Sequence, residues 1–112
     1  KRFETTDPRD VKVYLDKDQW SDHISLPARQ IQKKSMLELK KAVEEPNQIW
    51  TTADLIYPNR EVYFHERTNS TSVKTKYMKV IVDRGEDPAE IVTAFLTPQV
   101  KGNIKEKVYE KT

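Results

Sequence analysis

Tyr77-Met-Lys-Val-Ile-Val-Asp83, the connection Arg84-Gly-Glu-Asp-Pro88 and the run Glu90-Ile-Val-Thr-Ala-Phe-Leu-Thr97 decide how this chain is read. Two short runs rich in Val, Ile and aromatic residues flank a segment that contains Gly85, Asp87 and Pro88. That pattern is an antiparallel hairpin with a longer than minimal loop. Side chains alternate along a strand, so Met78, Val80 and Val82 share one face while Tyr77, Lys79 and Ile81 share the other. In the second strand Val92, Ala94 and Leu96 oppose Ile91, Thr93 and Phe95. One face is apolar and belongs on a core; the opposite face carries Lys79 and Thr93.

Working outward, Arg60 to Arg67 also alternates. Val62 and Phe64 face one way, and Tyr63, His65 and Arg67 the other. Gln48 to Thr52 reads as a short strand through Ile49 and Trp50, and Ile104 to Tyr109 as a last strand or short helix. Ser35 and Glu38 have capping-box spacing, which predicts a helix through Leu39, Ala42 and Val43 that Pro46 stops. Asp16 or Asp18 caps an earlier short helix carrying Trp20, His23 and Ile24. Val11 to Leu15 reads as a first strand at a sheet edge. Residues 1–10 are polar, include Asp7-Pro8, and read as a linker or disordered arm. The expected architecture is α+β, with N-terminal helices packed on one face of a four- to five-stranded antiparallel sheet, in a single domain over 11–112.

A chain of 112 residues suits one core. The net charge of +2 does not by itself call for a nucleic-acid partner; clustering of basic residues matters more. The absence of cysteine excludes disulfides, thiol catalysis and cysteine-ligated zinc. No apolar run reaches about 18 residues, so no membrane-spanning helix is expected. Two histidines about forty positions apart give no metal-ligand spacing. The nucleophile elbow of serine hydrolases is missing, and two glycines cannot build a phosphate-cradling loop. The polar start at Lys1 reads as a piece of a longer polypeptide.

With Arg60 to Arg67 beside the hairpin, one face is expected to gather Tyr63, His65, Arg67, Lys79 and Thr93, with His23 at its rim. Singly, each is an ordinary strand or helix-flank residue. Together they suit cleavage of RNA without a metal. Such a reaction needs a base for the 2′-hydroxyl and an acid for the leaving 5′-oxygen, both within reach of histidine. It also needs a cation for the charge that builds on phosphorus, here Arg67 or Lys79. Thr93 is expected to hold a phosphate oxygen, and Tyr63 to stack on a base or donate a proton.

Trp20-x-x-His23-Ile24, Glu45-Pro46-Asn47-Gln48-Ile49, Glu61-Val62-Tyr63-Phe64, Met78-Lys79-Val80-Ile81-Val82 and Ile91-Val92-Thr93-Ala94-Phe95-Leu96-Thr97 occur in that order. In this the chain resembles the barnase–EndoU–colicin–RelE superfamily of small ribonucleases from about Trp20 to Gly102, closest to its phage and polymorphic-toxin branch. The resemblance implies an endoribonuclease without metal or other cofactor. It implies tRNA as a frequent substrate and a cognate immunity protein or antitoxin as partner. It also implies action in the bacterial cytoplasm, after delivery as the C-terminal domain of a secreted or surface toxin. Carried over by position, the helix histidine is His23 and the strand threonine Thr93. Arg29 stands nearest to where relatives show a His-Pro pair, and Leu26-Pro27-Ala28 departs from that pattern. The candidate catalytic set is then His23, His65, Arg67 and Thr93, with Arg29, Tyr63, Lys79 and Lys101 contacting RNA. Two alternatives are a non-catalytic RNA- or protein-binding module, using the lysines at 33, 34, 40, 41, 74, 76, 79 and 101, and a RelE-like nuclease that acts on ribosome-bound mRNA.

Overall fold

A computed structural model describes residues 3–16, 24–25, 32–68 and 72–112. Among them the chain forms β1 (Phe3–Thr6), β2 (Lys12–Leu15), β3 (Ile24–Ser25), α1 (Gln32–Glu44), β4 (Gln48–Thr52), β5 (Arg60–Glu66), a 3-10 turn (Val73–Thr75), β6 (Tyr77–Asp83), β7 (Ala89–Thr97) and β8 (Ile104–Glu110). The strands make one sheet in the order β1-β2-β7-β6-β5-β4-β8, with β3 also on β7. Strands β2 and β3 run parallel to β7, pairing at Ala89–Glu90 and Ala94–Phe95, on the edge that β6 leaves open. The other pairings are antiparallel.

This corrects the expected architecture. The sheet is mixed and has eight strands among the described residues, not four or five antiparallel ones. A single described helix packs on it, against β1, β5 and β6. Of the early helix expected to carry Trp20, His23 and Ile24, the first two lie outside the described residues, and Ile24 belongs to strand β3, paired with Ala94. Helix α1 starts at Gln32, ahead of the expected cap at Ser35, and ends at Glu44, before Pro46. Its i, i+3, i+4 residues Leu39, Ala42 and Val43 are fully buried. They join Val13, Leu15, Ile49, Tyr63, Met78, Val80, Val82, Ile91 and Ala94 in one core.

The hairpin of β6 and β7 forms as the sequence pattern predicts, but the neighbouring β5 presents its other face and the start of β7 shifts by one residue. Tyr63 pairs with Val80 and Val62 with Ile81, so Tyr63, not Val62 or Phe64, meets the helix side. A slip of one residue in register moves every side chain of a strand to the other face. In β7, Ile81 pairs with Thr93 and Val82 with Ile91, which leaves Val92 as a bulge. The extra residue turns Ile91 inward beside Ala94, although alternation had set the two apart.

Residues 3–10 are not an arm: Phe3–Thr6 pairs with Leu15 back to Lys12, which also moves β2 from the edge to the interior of the sheet. Asp7 shapes the turn between them. Its Oδ1 accepts the backbone N–H of Arg9 at 2.8 Å and of Val11 at 3.0 Å, an Asx turn, and Asp10 closes the loop at φ +68°. Arg9 then reaches a strand three places along the sheet. Its Nη1 and Nη2 donate to Glu61 at 3.1 and 2.7 Å, and Nη2 donates to Asp7 Oδ2 at 2.7 Å. The Tyr63 hydroxyl donates to the same Asp7 oxygen at 2.7 Å, and Arg84 adds a contact to Glu61 at 3.3 Å. The sheet therefore curls until its first hairpin turn touches β5. Thr5 Oγ1 adds a hydrogen bond to Glu44 at the end of α1.

Burial works against the charged form of Asp7. Hydrogen bonds from Tyr63, from the Arg9 side chain and from the Val11 and Arg9 N–H groups outweigh it and hold this carboxyl below the usual range. A carboxyl depressed in the folded state contributes stability that is present above its unfolded pKa, about 3.9, and lost as pH falls through its folded value. Urea midpoints should thus decline below about pH 4, with a shallower decline in Asp7→Asn. Parallel acid limbs for the two proteins would refute this.

Candidate functional site

The expected site residues divide between the two faces of the sheet. His65 pairs with Met78 and lies on the side of α1, as does Tyr63. Lys79 pairs with Phe64 and Phe95, and Thr93 with Ile81, on the far side. His23 and Arg29 lie outside the described residues. One groove holding Tyr63, His65, Arg67, Lys79 and Thr93 is thereby corrected. The physical reason is the register of β5, which sets odd-numbered residues on one face of the sheet and their even-numbered neighbours on the other.

Tyr63 is fully buried and closes the Asp7–Arg9 network; burial and the hydrogen bond to the Asp7 carboxylate push its phenol up, so it stays protonated. It is not a stacking platform for a base. Lys79 is only 6% exposed. Its ammonium lies 5.6 Å from the Phe64 ring centre and 5.4 Å from that of Phe95, the cross-strand neighbours on either side. Nζ donates to the carbonyls of Lys101 at 3.1 Å and Gly102 at 2.9 Å, and burial lowers its pKa. This lysine pins the β7–β8 connection to the sheet, and Lys101 contributes its backbone oxygen to that clasp. Gly102 takes φ +98°, and a Cβ there would stand 2.8 Å from Lys79 Nζ. Gly102→Ala is expected to cost about 1–2 kcal/mol for the left-handed backbone, plus the displaced ammonium, measurable as a lower urea midpoint. An unchanged midpoint would mean that the connection shifts freely.

His65 and Arg67 do come together. They line a cleft of about 430 Å³ with Lys41, Glu45, Asn47, Glu66, Thr68 and Lys111. Three elements build it. The C-terminal end of α1 supplies Lys41, and the turn after it Glu45. Just ahead of β4, Asn47 N–H bonds to Phe64 O at 2.8 Å and Asn47 O accepts from Lys111 N–H at 2.8 Å. The Asn47 side chain accepts from Glu66 N–H at 2.6 Å, which fixes the end of β5.

His65 Nδ1 lies 2.9 Å from the backbone oxygen of Glu45. A carbonyl only accepts, so Nδ1 carries the proton and Nε2 of the neutral ring has its lone pair available. Among the described residues Nε2 has no hydrogen bond. Arg67 is oriented by Glu38, Nε to Oε2 at 3.2 Å, and by the Thr75 carbonyl, Nη1 to O at 3.3 Å. Its Nη2 has no hydrogen bond among the described residues. The cleft lining sets three cations (Lys41, Arg67 and Lys111) against two carboxylates, and one of these, Glu66, lies 3.8 Å from Lys76. An oriented imidazole beside a guanidinium and two ammonium groups has the parts to bind a phosphodiester and move a proton on it. Lys41 entered the sequence reading only among the lysines of the binding-module alternative, and Glu45 and Lys111 carried no local signal toward this cleft. They reach His65 through the helix end and through the pairing of β8 with β4. No three His, Asp or Glu residues among those described cluster as metal ligands.

Comparison with protein families, with curated proteins and with solved structures found no match.

Proposed function

We propose that this chain is an endoribonuclease domain that cleaves RNA by attack of the 2′-hydroxyl on the adjacent phosphodiester, with tRNA as the substrate class. The observation that carries this reading is the cleft in which His65, oriented through Nδ1, stands beside Arg67, Lys41 and Lys111. In the reaction Nε2 of His65 takes the proton of the 2′-hydroxyl as its oxygen attacks phosphorus. The bond from phosphorus to the 5′-oxygen breaks, and that oxygen takes a proton from water, while His65 returns its proton to solvent. Arg67 and the lysines balance the charge on the phosphoryl oxygens. The sequence resemblance to small ribonucleases supports the same chemistry, and with it a cognate immunity protein or antitoxin as partner.

Incubation of the purified domain with tRNA in EDTA tests the proposal. Discrete fragments ending in 2′,3′-cyclic phosphate are expected from the wild type. Intact tRNA under conditions where the domain is folded would count against it. The second reading is a binding module without chemistry. The contact of Arg67 with Glu38 favours it, since part of the guanidinium charge is already balanced. Binding that weakens steeply with salt and leaves the RNA uncut would select that reading.

A further inference from the structure

On the far side of the sheet, away from His65, a groove of about 400 Å³ is lined by Thr52, Asp54, Arg60, Val62, Lys79, Ile81, Phe95, Gly102 and Asn103. That volume lies in the range of small-ligand sites. Its floor is apolar and comes from three adjacent strands, because Val62 pairs with Ile81 and Phe95 flanks Lys79. Two cations stand in it. Two of the three N–H donors of Lys79 are used by carbonyls, which leaves one. Arg60 is the more informative. Its guanidinium stacks on the Tyr57 ring at 3.9 Å, yet its buried Nε has no hydrogen-bond partner. Asp83 Oδ2 stands 3.8 Å from that nitrogen, too far for a hydrogen bond, and Asp83 Oδ1 is taken by Gly85 N–H at 2.8 Å. Asp83 balances part of the Arg60 charge at that distance, while the guanidinium as a whole lines the groove and presents a planar cation to an incoming anion. The one carboxylate in the lining, Asp54, turns its Oδ1 to the Ile56 and Tyr57 N–H groups at 2.8 and 3.4 Å.

We infer that this groove binds an oxyanion carried on a planar ring, the chemistry of a nucleoside monophosphate, with the phosphate at the Arg60 guanidinium and the Lys79 ammonium and the ring on the Val62, Ile81 and Phe95 floor. The site lies on the opposite face from the His65 cleft and stands whether or not that cleft cleaves RNA. The ligand is either a free nucleotide or the terminal nucleotide of an RNA strand.

Amide chemical-shift mapping of the 15N-labelled domain tests this with adenosine monophosphate, adenosine, inorganic phosphate and a short uncleavable 2′-O-methyl oligonucleotide. Adenosine monophosphate should shift amides around residues 60, 62, 79, 81, 95 and 102–103 at submillimolar concentration, and bind at least tenfold more tightly than adenosine or phosphate alone. Arg60→Gln and Lys79→Met should each weaken it about tenfold or more, whereas His65→Ala should bind it as the wild type does. Displacement of adenosine monophosphate by the oligonucleotide at lower concentration would assign the strand end as the source; no displacement would assign the free nucleotide. The inference is overturned if no ligand shifts these amides, if adenosine binds as well as its phosphate, or if Arg60→Gln binds unchanged. The wild-type mapping decides the matter even if a variant fails to fold.

Discussion

Arg9→Ala is expected to lower the stability of the domain by roughly 3–5 kcal/mol, the cost of breaking a buried ion pair from one side. The Asp7 side chain has no exposed surface and that of Glu61 only 11%. One guanidinium spans the two carboxylates, donating to each at 2.7 Å. Burial alone would favour the neutral form of Arg9, yet Glu61 and Asp7 raise its pKa, so the cation is present at any working pH. Without it Glu61 keeps only Arg84, whose side chain is 40% exposed and screened by water. Asp7 keeps Tyr63 and the backbone of its own turn, but no charge opposes it. With a urea m-value of about 2 kcal/mol/M, the midpoint should fall by about 2 M, and a domain of ordinary stability approaches its threshold. Acid supplies the control. Protonation of the orphaned Asp7 removes its share of the penalty, so the gap between wild type and Arg9→Ala should narrow as pH falls below about 4. A midpoint change under about 0.5 M at neutral pH, or a difference that does not narrow in acid, would show that the network holds little of the fold together.

That network also marks the limit of what could be read from the chain. Arg9 and Glu61 are 52 positions apart, and nothing local to either announces the other. The same holds for β1. An edge strand with alternately exposed residues has the composition of a linker, so Phe-Glu-Thr-Thr passes for an arm until its partner is known. Strands β5, β6 and β7 were legible because period-2 alternation is a property of the segment itself. The core face of β6 and Ala94 of β7 came out as alternation sets them, but the face of β5 did not, because it depends on register between segments, and the bulge at Val92 turned Ile91 inward. For the site, His65 and Arg67 were legible as same-face neighbours two positions apart. Lys79 was read as a free surface cation because alternation reports orientation, not what covers a side chain. The β7–β8 connection that clasps it begins some twenty residues later.

His65→Ala should reduce RNA cleavage by about 10²- to 10⁴-fold, the usual share of a positioned acid–base group, while leaving the domain folded. The ring makes one hydrogen bond, to Glu45 O, so its removal costs about 0.5–1.5 kcal/mol of stability, a loss that a domain of ordinary stability can absorb. Arg67→Ala should also lower the rate, and it releases Glu38 as well. Lys41→Ala and Lys111→Ala act differently. Each should weaken RNA binding and reduce the salt slope by just under one unit, the contribution of one phosphate contact, with little change in the rate at saturating RNA. Thr93→Ala separates the two faces of the sheet. It sits opposite Ile81, across the sheet from the cleft, so cleavage should stay within about threefold of wild type if the chemistry belongs to His65. The reverse pattern, with His65→Ala fully active and Thr93→Ala dead in a folded domain, would move the reaction to the far face. Loss in both variants, with each still folded, would mean that the RNA must engage both sides of the sheet before it is cut.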